Sequence, residues 1–317
     1  MDTFVVISDM VPLGTSEITG TLSDVISSEF GREHLPSIVF GLLCFIWGST
    51  WLAIKIGLED SPPFLSAGLR FGIAGVILAL IIKLKGVSVS YGRRTWLLMV
   101  LSGILIGLGY AAIYWGEQYI PSGLTAVLFA TLPLFVALFA HFTLREERLS
   151  ISKIAGIIVG FGGVVLIFSD SLSMETEATW WGASALLLSS AVLAAINILV
   201  KREFHQVNPV VLTAVQMGSG AVLLLLSGAI WERIGDFLIT PNSVGALLYL
   251  SLVGTVFAFA IYYWLMKRIQ VTRISLIILI TPVVAVLLGW FLLEEAMNLK
   301  MIAGSGLVLA GVALAHR

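Results

Sequence analysis

Ionisable and hydrogen-bonding side chains draw notice in this chain because they interrupt long apolar runs. Arg70 lies seven residues into the run that starts at Pro63, about 10 Å along a helix rising 1.5 Å per residue. Lys55, Glu59, Asp60 and Glu117 fall at the edges of neighbouring runs. A cation in such surroundings needs a partner. Glu117 is the expected buried one, within a charge cluster of Lys55, Arg70 and Glu117. Such a cluster can gate a path, grip a charged group of a ligand, or act only as a structural ion pair. Trp47, Trp51, Tyr110, Tyr114, Asn197, Gln216, Tyr262 and Tyr263 supply aromatic surface and neutral hydrogen bonds. Those groups recognise a small organic molecule rather than transform it. His141, alone in its run, could relay a proton, but such a residue is more often a satisfied interior one. The chain contains no HExxH, Walker A loop, GxSxG or CxxC. No cofactor and no metal are therefore expected, and the chain does not read as an enzyme.

The elements that carry these residues follow from composition. Of 317 residues, 58% are hydrophobic and 12% charged. A soluble domain has roughly 25% charged residues. A mean hydropathy of +1.02 therefore excludes an ordinary globular protein. The net charge of −1 points to no nucleic-acid partner. The single cysteine, Cys44, cannot form an intrachain disulfide.

A bilayer core of about 30 Å takes ~20 apolar residues per helix. Ten segments qualify, at about 37–57, 63–83, 95–117, 121–144, 150–168, 179–200, 209–231, 243–267, 272–293 and 298–316. Turn signals separate several of them, among them Pro62-Pro63, Pro121-Ser122-Gly123 and Asn208-Pro209. Residues 1–35 are polar and mildly acidic, without a signal-peptide pattern, and read as a flexible cytoplasmic tail. With that tail inside, 14 of the 18 Lys and Arg residues face the cytoplasm, and only Arg233 and Lys300 fall in outer loops. The positive-inside bias thus puts both termini in the cytoplasm.

The chain also repeats itself. Tyr114-Trp115 recurs as Tyr263-Trp264 and Pro133 as Pro282, at a spacing of 149. Ala155-Gly156 recurs as Ala303-Gly304 at 148, and Lys55 and Pro63 recur as Lys201 and Pro209 at 146. The halves are 36–168 and 178–316, with five helices each. The expected fold is an all-α integral membrane protein of ten transmembrane helices in two inverted five-helix repeats. An odd number of spans per repeat makes the second run opposite to the first. Inverted repeats are typical of secondary transporters. A duplicated scaffold protein of the membrane is the alternative.

Helical spacing marks inward faces. The first segment offers Cys44, Gly48, Trp51 and Lys55, and the sixth Ser190, Ala194, Asn197 and Lys201. Arg70 and Gln216 are equivalent positions on the second and seventh. The third carries Gly103, Gly107, Tyr110, Tyr114 and Glu117, and the eighth Ser251, Thr255, Ala258 and Tyr262 beside Tyr263. A cavity between these faces is one reading. The other is helix packing, with Asn197 and Gln216 in interhelical hydrogen bonds worth about 1 kcal/mol. Pro133 and Pro282 are matched bending points, or static kinks. Gly156, Gly160, Gly163, Gly304, Gly306 and Gly311 are packing residues, for scaffold or for a homodimer contact. Glu147 and Glu295 are expected to cap the N-termini of the fifth and tenth helices.

Taken together, Ile46-Trp47-Gly48-Ser49-Thr50, Lys55, Pro62-Pro63 and Gly68-Leu69-Arg70-Phe71 resemble the opening of the EamA family, within the drug/metabolite transporter superfamily. Glu117-Gln118-Tyr119-Ile120-Pro121-Ser122-Gly123 and both acidic turns resemble it too. The resemblance covers about 36–316. It implies an inner-membrane transporter whose first, third, sixth and eighth helices surround a central cavity. It also implies export of amino acids, other small metabolites or toxic organic compounds, with uptake as the alternative. Neither half has a carboxylate near mid-membrane, so proton coupling has no support in the chain beyond Glu117. The aromatic residues suit apolar, aromatic or cationic solutes.

Overall fold

The apolar runs fold as helices because lipid offers no partner to a free backbone N–H or C=O. The computed structural model describes residues 29–120, 122–144, 150–169, 176–293 and 298–315. The helices are α1 (Glu29–Glu59), α2 (Pro63–Leu84), α3 (Arg93–Gly116), α5 (Ile151–Ile167), α6 (Glu177–Glu203), α7 (Pro209–Trp231) and α10 (Leu299–Ala315). Three more are interrupted. α4 comes in two pieces, Ser122–Phe129 and Leu132–Thr143. α8 runs Pro241–Ser251, passes through a π turn at Leu252–Phe257, and continues as Ala258–Met266. α9 comprises Val271–Ser275 and Ile277–Leu293. Seven of these spans are long and apolar enough to cross a membrane, and the other three are shorter apolar helices. The described residues contain no strand. The expected ten-helix membrane architecture is what the chain adopts.

The packing has the pattern of a pseudo-twofold. α1 packs on α9 as α6 packs on α4, and α3 packs on α6 as α8 packs on α1. α3 meets α7 as α8 meets α2, while α2 with α7 and α5 with α10 are self-related pairs. Small residues bring the self-related pairs close. A Cβ on Gly156 would sit 2.5 Å from the Gly311 carbonyl oxygen, and one on Gly163 would sit 2.6 Å from that of Gly304. The glycine faces of the fifth and tenth helices thus meet each other within the chain. Gly306 is not part of that seam, for a Cβ there would meet nothing within 4 Å.

The two prolines sit differently in their helices. A proline ring collides with the carbonyl four residues back, and the first piece of α4 ends at Phe129, four before Pro133. Pro133 then sits in the first turn of the second piece, where a missing N–H costs nothing. Pro282 stays inside a continuous α9. There the Thr281 hydroxyl donates to the Ile278 carbonyl that proline leaves free, at 3.0 Å. α9 breaks instead at Leu276.

Ser150 and Asn298 cap the fifth and tenth helices. The Ser150 hydroxyl accepts from the Lys153 N–H at the start of α5. The Asn298 side chain accepts from the Met301 N–H at 2.9 Å at the start of α10. These positions, next to the first helical residue, reach the free N–H groups directly. Glu146, Glu147, Glu294 and Glu295 lie outside the described residues, as does 1–28 of the tail. At α2 the carboxylate of Glu232 accepts from the Phe64 and Leu65 N–H groups, at 2.7 and 2.8 Å. That cap spans 168 residues of sequence, so no local pattern announces it.

Candidate functional site

Where the two halves meet, the helices leave a cavity of about 100 Å³. One water needs roughly 10–15 Å³, so there is room for several waters or one small organic molecule. Both repeats contribute walls. Trp47, Thr50, Trp51 and Ile54 come from α1, Arg70 from α2, Tyr110 from α3, Asn197 from α6 and Tyr262 from α8.

Arg70 is the best-held polar group there. It is 2% exposed. Its Nε donates to the Thr255 hydroxyl at 2.8 Å. Nη1 donates to the Tyr114 hydroxyl at 3.3 Å and Nη2 to the Gly254 carbonyl at 3.4 Å. The guanidinium carbon also lies 5.4 Å from the centre of the Tyr110 ring. The π turn supplies two of these acceptors. Within it the Thr255 hydroxyl donates to the Leu250 carbonyl, five residues back, at 2.8 Å, which leaves its lone pairs for Arg70. The Gly254 carbonyl also accepts from Trp47 Nε1 at 3.4 Å. Helices α3 and α8 thus hold the guanidinium carried by α2.

The expected ion pair of Arg70 with Glu117 is not formed, and among the described residues no carboxylate pairs with Arg70. Glu117 caps the end of α3. It lies one turn beyond Tyr114, about 4.5 Å further along the axis at 1.5 Å per residue. Tyr114 takes the place at Arg70 instead. The side chain of Lys55 lies outside the described residues.

The remaining candidates separate into those on the wall and those behind it. Trp47 packs on Tyr262 with ring centres 5.0 Å apart, and Trp51 meets Phe129 edge-on at 5.5 Å. Asn197 and Tyr262 line the cavity from the second repeat. Tyr114 stands behind Arg70 rather than on the wall, and Tyr263 is buried against Phe259 and Tyr262. Gln216, equivalent to Arg70, does not reach the cavity. Its Nε2 donates to the Ser102 hydroxyl at 2.8 Å, within the α3–α7 contact. A Cβ on Gly103 would sit 2.6 Å from the Gln216 backbone, so α3 closes on α7 there. The residue matching Gly103 in the second repeat is Leu252, in the π turn. The lining face of α1 is also turned from the expected one. Trp47, Thr50, Trp51 and Ile54 line the cavity, whereas Gly48 packs on Val284 of α9 and Cys44 is buried elsewhere. His141 lies on the exposed face of α4, not at the cavity.

Two helices were missed as walls. α4 supplies Phe129 and Leu132, and α9 supplies Ser275 and Thr281. The available signal was their interruption, since a broken helix exposes backbone and short side chains where a straight one would pack.

One end of the bundle is tied by lysines. Lys201 Nζ donates to the Met266 and Ile269 carbonyls at 2.7 and 2.8 Å. Lys267 Nζ donates to the Val207 carbonyl at 2.6 Å, and Lys153 Nζ to Gln270 Oε1 at 3.0 Å. Burial holds the Lys267 ammonium below its ordinary pKa, with Arg268 adding to the effect. Lys201 and Lys267 join the end of α6 and the loop after it to the end of α8, and Lys153 joins the start of α5 to the start of α9.

A ten-helix membrane fold with twofold-related halves around a central cavity is the architecture of a transporter. The model of the EamA-like transporter family matches residues 35–169 and again 180–317, and the chain belongs to that family. It is 31% identical over 281 residues to the uncharacterized transporter YoaV of Bacillus subtilis, covering 88% of this chain and 96% of that one. It is 32% identical to an uncharacterized transporter of Archaeoglobus fulgidus, over 88% and 98% of the two chains. Against the uncharacterized inner membrane transporter YedA of Escherichia coli K12 it is 29% identical, over 89% and 91%. A solved protein structure superposes with a TM-score of 0.76 at 22% identity, covering 88% of this chain and 96% of that one, a likeness of fold. The protein is therefore a multi-pass membrane transporter of the EamA family.

Proposed function

We propose that this transporter moves small organic solutes by alternating access around the central cavity, and that its working direction is export. The observation that carries the reading is a cavity walled by both repeats at once, by Trp47, Trp51 and Arg70 from the first and Asn197 and Tyr262 from the second. A site shared by two rocking halves can be offered first to one side and then to the other. The lysine ties between α6 and α8 close one end in the described conformation and must break for access there. Lys55, the first-repeat counterpart of Lys201, is assigned the matching tie of α1 in the opposite state.

The cytoplasmic placement of both termini rests on the 14 basic residues of that side, which makes the lysine-tied end the cytoplasmic one. An inner-membrane location is part of the same proposal, supported by the name of YedA. The test is solute flux in proteoliposomes reconstituted from the full chain. Saturable flux above that of empty liposomes is the expected result. Efflux from preloaded cells, faster with the transporter than without it, checks the direction. Flux indistinguishable from empty liposomes across a broad solute panel points to the scaffold alternative.

A further inference from the structure

Among the described residues the cavity carries one fixed charge, and it is positive. Among its lining residues Arg70 is the only Asp, Glu, Lys, Arg or His. We infer that the cavity selects organic monoanions, gripping a carboxylate with Arg70 and an apolar or aromatic body against Trp47, Trp51 and Tyr262. This names the substrate class of the proposed transport site and rests on that reading for its role.

The geometry supports the grip. A guanidinium has five N–H donors. Three are engaged, by Thr255, Tyr114 and Gly254. One N–H therefore remains on each terminal nitrogen, free to donate a charge-assisted bond to a carboxylate. The three anchors also hold the group in place before a ligand arrives, so little side-chain freedom is lost on binding. Thr255 is itself oriented by the Leu250 carbonyl.

The same features disfavour other classes. A cationic solute would meet Arg70 in a low-dielectric space, where like charges repel strongly. The Tyr110 face that could attract it is already turned toward the guanidinium. A zwitterion would leave its ammonium without a carboxylate, for the described residues of the wall include none. A monoanion neutralises the buried charge, and the loaded cavity then crosses states with no net charge. The aromatic walls, which by composition alone suit cations, here serve the body of an anion.

The test varies only the head group. Purified full-length protein in detergent is titrated with 3-phenylpropanoate, 3-phenylpropanamide, 3-phenylpropylamine and phenylalanine, read by fluorescence of the tryptophans that line the cavity. The acid is expected to bind about tenfold or more tightly than the amide, the scale of a charge-assisted pair. The amine is expected not to compete with it. Arg70→Lys, which keeps a charge without the fork, is expected to weaken the acid and leave the amide unchanged. If that variant does not fold, the wild-type series decides alone. Equal binding of acid and amide, tighter binding of amine or phenylalanine, or binding of none of the four overturns the inference. Acid bound in detergent but not moved in proteoliposomes refutes alternating access and leaves the anion site standing. Flux of the amine or amide without flux of the acid does the reverse.

Discussion

Replacing Arg70 with methionine separates a structural arginine from a ligand-binding one. Methionine is of similar length, uncharged and adaptable in a packed interior. The substitution removes one good hydrogen bond, to Thr255 at 2.8 Å, and two long ones at 3.3 and 3.4 Å. A hydrogen bond to a charged group contributes about 1.5–3 kcal/mol, and long ones less. A further ~0.5–2 kcal/mol comes from the Tyr110 face. Against this stands the cost of a charge within the membrane, ~2.5–3.5 kcal/mol at the centre. The acceptors are not stranded either. Thr255 still donates to Leu250, and the Gly254 carbonyl still accepts from Trp47. Only the Tyr114 hydroxyl loses its donor. The terms nearly cancel, so Arg70→Met is expected to change stability by no more than about 2 kcal/mol. At 2–4 °C per kcal/mol that is a melting shift within roughly 8 °C. Thermal unfolding in detergent gives the first number, and carboxylate binding to the same sample the second. A variant that melts near wild type but no longer prefers the acid is the expected outcome. Collapse of folding would make Arg70 a structural pin. Normal folding with undiminished acid preference would show that the charge is not the grip.

Three further outcomes follow from the packing. Glu117→Gln is expected to leave solute flux near wild type, because Arg70 is held without it; loss of flux at normal expression would return Glu117 to the site. Gly163→Val should destabilise the fold by about 1–3 kcal/mol through overpacking of the α5–α10 seam, whereas Gly306→Ala should be close to neutral; similar melting of the two variants would refute the seam. Lys201→Met removes the tie to the Met266 and Ile269 carbonyls and should favour opening at that end, read as faster labelling of a cysteine placed at Ser275 in a Cys44→Ala background. Unchanged labelling would mean that the lysine merely caps a helix end.

The spans, their number and the inverted repeat were legible in the sequence because lipid imposes a length and a periodicity on every helix. Much of the wall was legible too. Trp47, Trp51, Tyr110, Asn197 and Tyr262 lie at the cavity, where aromatic and polar residues interrupting apolar runs pointed. The exchange of Glu117 for Tyr114 at Arg70 was not. Helical spacing says that 110, 114 and 117 share a face, but the depth at which α2 crosses α3 decides which of them the guanidinium meets. The same limit applies to Gln216. It matches Arg70 in the repeat yet is covered, because Gly103 lets α3 close over it while Leu252 stands at the matching place on α8.

By itself the sequence determined an EamA-type membrane protein of two five-helix halves, and it marked Arg70 as the charge in need of explanation. Only the tertiary structure decided what answers that charge. Besides the Tyr114 hydroxyl, the acceptors are Thr255 and the Gly254 carbonyl, 185 and 184 residues away, presented by a π turn with no local sequence signature. Periodicity fixes which way a side chain faces along its own helix. Which partner stands opposite depends on the relative depth and rotation of two helices, and those are set by packing across the whole bundle.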